Sequence, residues 1–73
     1  MNIDDAKNFM EKYAWKVAEY NNTRCLSLSP QEVNDLDAMV KRTMNTNTNW
    51  YCATCVIERL SQMHNLANGE LNK

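Results

Sequence analysis

Three cysteines are the residues of this chain best suited to chemistry, and two of them share one short motif. Asn49-Trp50-Tyr51-Cys52-Ala53-Thr54-Cys55 sets a Cys-x-x-Cys pair beside two aromatics, after a polar loop and where a helix should begin. Residues three apart on a helix share a face, so both sulfurs can reach a common point, and a helix N-terminus favours the thiolate. Three chemistries compete for the pair. A structural zinc ion takes four Cys or His ligands, with Cys-x-x-Cys as the usual half-site. Cys25 would be the third ligand, and the fourth is not identifiable. His64, the single histidine, stands roughly 13 Å along the helix axis from Cys55 and half a turn away in azimuth. A redox or disulfide pair is the second reading. It lacks the βαβ setting usual for such motifs, and cytosolic chains seldom keep structural disulfides. The third reading, reduced thiols packed as small hydrophobes at a helix junction, leads. The expectation is therefore no cofactor, with zinc on Cys25, Cys52 and Cys55 as the alternative.

Nothing else in the sequence assembles a reactive centre. His64 has no Ser, Asp or Cys placed to make a triad with it. The carboxylates are dispersed over helix surfaces, and one glycine cannot build a phosphate-cradling loop. No catalytic residue is assigned, and an enzyme is not expected. A net charge of −1 and a pI near 5.7 give no basic field toward nucleic acid or membrane. A helix-turn-helix would need Lys, Arg, Asn or Gln at the start of its recognition helix. That start here is Trp-Tyr-Cys-Ala-Thr-Cys, so nucleic acid is not the expected partner.

These residues need helices to position them. Scattered β-branched residues, one Gly and one Pro point to an all-α, compact three-helix domain spanning 1–73. The first helix is predicted over about 3–20, capped by Asn2, with Ala6, Phe9, Met10, Tyr13, Ala14, Val17 and Tyr20 on one face. Asn21-Asn22 is expected to end it. Ser29-Pro30-Gln31-Glu32 is a capping box with proline at N1, and Leu28 and Val33 are spaced as a hydrophobic staple. That box opens a second helix over about 30–44, with Val33, Leu36, Val40 and Met44 inward, Met39 on the flank and the polar run Asn45–Asn49 as breaker. The third is predicted over about 50–67, capped by Thr48 or Asn49. Its buried face is Cys52, Ala53, Val56, Ile57, Leu60, Met63 and Ala67. Asn68-Gly69 should stop it, leaving 70–73 as a loose tail.

One residue breaks the pattern. At 100° per residue, Trp15 falls nearly opposite the apolar stripe of the first helix, among Asn8, Glu11, Lys12, Ala18 and Glu19. An exposed Trp on a polar face reads as a partner contact, because Trp is enriched at interface hot spots. The candidate partner-binding set is Trp15, Glu11, Lys12, Glu19, Trp50 and Tyr51. One of the last two is expected to seal the junction with the second helix while the other stays partly exposed.

From Leu28 to Arg59 the chain resembles short helical proteins of tailed bacteriophages, including crAss-like phages. The resemblance is carried by Leu28-Ser29-Pro30-Gln31-Glu32, the loop Asn45–Asn49, and Cys52-Ala53-Thr54-Cys55-Val56. Similar proteins continue into an Arg/Lys-rich helix. This chain has Glu58 instead, and no Lys, Arg, Asp or Glu from Leu60 to Asn68. The resemblance implies a small virion or accessory protein, capsid- or tail-associated, docking on a larger protein or assembling with copies of itself. A zinc-stabilised regulatory module acting on protein or nucleic acid is the alternative. The absence of an apolar run of roughly 20 residues, and of a signal-peptide core after Met1, points to a soluble chain kept in the cytosol, and the resemblance implies host cytoplasm or virion as its location.

Overall fold

The first amphipathic segment forms helix, though not as one rod. In the computed structural model, which describes residues 1–73, it breaks at Tyr13 into α1 (Ile3–Lys12) and α2 (Ala14–Thr23). Asn2 caps α1, its Oδ1 accepting from the Asp5 amide at 2.8 Å. Tyr13 leaves helical geometry at φ −124°, ψ −18° while its ring packs in the core. Its hydroxyl donates to Asp35 Oδ2 at 2.6 Å. No Pro or Gly lies near, so this break belongs to a tertiary contact and is absent from the local sequence. The segment also outruns its expected end. The side chain of Thr23 bonds both to Glu19 O (2.9 Å) and from the Cys25 amide (3.2 Å), and Arg24 supplies the left-handed cap at φ 60°.

α3 (Pro30–Met44) begins on the expected capping box, with both reciprocal bonds between Ser29 and Glu32 present, and ends on Asn45 at φ 50°. Three polar pairs tie it to the first arm: Asp5 with Arg42, Tyr13 with Asp35, and Lys16 with Glu32. Their order shows that α1–α2 runs antiparallel to α3. The Asp5–Arg42 pair is bidentate at 2.8 and 3.1 Å, and hydrogen bonding to Asp5 raises the guanidinium pKa.

α4 (Ala53–Leu71) differs from expectation at both ends. Asn49 spends its side chain on the Tyr51 amide (3.1 Å) and its carbonyl on the Cys52 amide (3.2 Å), forming a turn. The helix therefore opens three residues later than expected, with Cys52 as its cap and Ala53 exposed rather than buried. At the far end Gly69 stays helical. Asn72 Nδ2 donates to Asn68 Oδ1 at 2.9 Å and Lys73 pairs with Glu70 at 2.9 Å, so Glu70 and Leu71 extend the helix where a loose tail was expected.

The helices are all-α rods around one core of Ala6, Phe9, Tyr13, Val17, Leu36, Met39, Val40, Val56, Leu60, Met63 and Ala67. Every apolar position expected to face inward on α1 and α2 is buried or half-buried. Met39, expected on a flank, is fully buried. A core this small supplies only about 3–5 kcal/mol. No helix is long and apolar enough to cross a membrane.

Candidate functional site

The connector Arg24–Ser29, the N-termini of α3 and α4 and the N-terminal half of α2 meet at one end of the molecule. Lys16 organises that end. Its Nζ donates to Ser27 O at 2.8 Å, pairs with Glu32 Oε2 at 3.3 Å and lies 4.7 Å from the Trp15 ring centroid. One ammonium thus joins α2, the connector and α3 while stacking on the indole. Glu32 is held below the usual carboxylate range, first by the Ser29 amide and then by Lys16.

Trp15 remains 55% exposed. Lys12 lines one concavity with it, and Glu19 lines a second together with Cys25 and Leu26. Glu11 is exposed but borders neither. Leu26 is shared with a third concavity of about 250 Å³, whose wall is apolar and includes Leu28, Val33, Trp50 and Val56. Trp50 is the half-buried member of its pair, its indole Nε1 donating to Asp37 Oδ1 at 3.2 Å. Asp37 lies below its usual range because of Lys41 first and Trp50 second. Tyr51 is fully exposed at the lip. Five of the six candidate partner-binding residues thus border a run of adjoining concavities, with Leu26 as the bridge. Neither Lys16 nor Leu26 carries a motif. Their roles arise only once three elements converge.

The cysteines fall into two sets. Cys25 sits exposed on the connector, beside Trp15. Cys52 and Cys55 stand at the start of α4, where Cys52 Sγ accepts from the Cys55 amide at 3.4 Å. All three are free thiols, and none is buried as the packing reading requires: Cys25 and Cys55 are exposed and Cys52 is half-buried. The reason is the late start of α4, which leaves the motif at the helix mouth. Hydrogen bonding from the Cys55 thiol and then its amide lowers the Cys52 pKa, and the same thiol contact raises that of Cys55. The structure does not gather Cys25, Cys52 and Cys55, with or without His64, into a group of three or more ligands able to hold a metal. His64 instead lines a shallow concavity with Ala14, Val17 and Asn21.

No protein-family model, no curated protein and no solved structure matches this chain.

Proposed function

We propose that this chain is a small, non-enzymatic interaction module that docks through its Trp15–Leu26–Tyr51 end onto a larger protein or onto copies of itself. The observation that carries this reading is the indole of Trp15, more than half exposed yet held in place by Lys16. A pre-positioned aromatic loses little side-chain entropy on binding, which is what a hot-spot anchor requires. The apolar wall of Leu28, Val33 and Trp50 continues the surface beyond Leu26. The resemblance of Leu28–Arg59 to small proteins of tailed bacteriophages supplies the setting, a capsid- or tail-associated particle component.

The test is Trp15→Ala. Loss of a hot-spot Trp costs at least about 2 kcal/mol of binding, roughly a thirtyfold weaker complex. Light scattering of the native assembly should show the variant falling out of the complex while far-UV circular dichroism is unchanged. A variant that assembles like the parent chain overturns the reading.

A further inference from the structure

We infer that Cys52 and Cys55 form a thiol–disulfide exchange site, with Cys52 as nucleophile, Cys55 as resolving thiol and aliphatic disulfides as the substrate class. This site is independent of the docking reading, and its chemistry is stoichiometric. Geometry carries it. Cys52 occupies the cap of a 19-residue helix and Cys55 its third position, with the Cys52 sulfur turned back onto the Cys55 amide at 3.4 Å. A sulfur in that place gains from the helix dipole as its negative charge develops. Helical residues three apart have Cβ atoms about 5–6 Å apart, whereas a disulfide needs about 3.8 Å. Cys52 can make up the difference because its backbone is already extended, at φ −109° and ψ 110°. Closing the bond leaves the helical residues in place and moves only the residue before them. The lowered pKa of Cys52 and raised pKa of Cys55 agree with this division of roles.

The exchange balances. The Cys52 thiolate attacks one sulfur of a disulfide RS–SR, the S–S bond breaks, and one RS⁻ departs and takes up the proton that Cys52 released. Cys55 then loses its proton and attacks Cys52 Sγ in the mixed disulfide, and the second RS⁻ leaves and is protonated. Two thiols of this chain are oxidised to one disulfide, and the external disulfide is reduced to two RSH. Cys52 is half-buried and Cys55 exposed, so a disulfide from solution reaches the motif without displacing any packed element.

Incubation of the full chain with glutathione disulfide, followed by alkylation and peptide mass spectrometry, tests the assignment. The parent chain should yield a Cys52–Cys55 bond without retained glutathione. Cys55→Ser should accumulate glutathione on Cys52. Cys52→Ser, which keeps a good helix cap, should slow exchange at the motif about tenfold. Cys25 serves as the internal control. Glutathione spread evenly over all three cysteines, or a bond that includes Cys25, overturns the inference, as does a Cys52→Ser variant that exchanges at the parent rate.

Discussion

The two ends of this molecule are built on different principles. At one, the N-terminus of α1 meets the C-terminus of α3, where a bidentate Asp5–Arg42 pair closes over the hydrophobic core. At the other, half-buried Leu26, Leu28 and Trp50 cover the core incompletely, and Trp15, Tyr51, Cys25 and Cys55 face solvent. A domain with a few kcal/mol to hold it together closes its packing at one end and leaves large aromatic and thiol side chains exposed at the other. The contrast separates substitutions that should unfold the chain from those that should change only what it touches.

The hardest blow to the closed part is Leu60→Ala. Leu60 is fully buried at the middle of α4, and such truncations cost about 2–5 kcal/mol. That matches the whole stability of a domain this size, so urea unfolding followed by circular dichroism should find the variant largely unfolded at 25 °C. A cooperative transition close to that of the parent would show that the two ends do not divide the work as described. Arg42→Ala comes next. Asp5 is buried but Arg42 is half exposed and screened, so the loss should be about 1 kcal/mol, read as a lower urea midpoint.

Gly69→Ala sharpens the contrast from the opposite direction. A Cβ there meets nothing within 4 Å and the residue is helical, so the change should stabilise by roughly 0.5–1 kcal/mol. A rise in melting temperature of a few degrees is expected, and a fall would contradict the observed run of α4 through Gly69. The smallest effect is acid loosening of the open end. Glu32 lies below its ordinary value of 4.5 in the folded chain. The stability it contributes is present above that pH and lost as pH falls through the depressed folded value. Tryptophan fluorescence should report the Trp15 environment changing in that window, and Glu32→Gln should remove this component of the titration.

What could be foreseen from the residues was whatever is decided locally. The Ser29–Glu32 box lies within four consecutive residues, and α3 starts where they say. The exposure of Trp15 follows from rotation along one helix, and it survives the break because Tyr13 still faces inward. The break itself needs Asp35, 22 residues away, so no local rule could mark it. Cys52 was misplaced for a related reason. Asn49 could have capped the helix directly, and only the turn it makes instead hands that role to a sulfur. Asn68-Gly69 has the composition of a stop, yet side-chain contacts beyond it hold the helix together. Lys16 was invisible as an organiser because its three partners come from three separate elements.

The three polar rungs between the first arm and α3 also act as an address label. Reading from the N-terminus, the arm offers an acid at Asp5 and a base at Lys16, while α3 offers an acid at Glu32 and a base at Arg42. Were the two rods laid side by side in the same direction, Asp5 would confront Glu32 and Lys16 would confront Arg42. Repulsion at both rungs would then reject that arrangement, whether the second rod came from the same chain or from a neighbour. The charge order thus fixes the antiparallel sense of the pairing before any apolar contact is made.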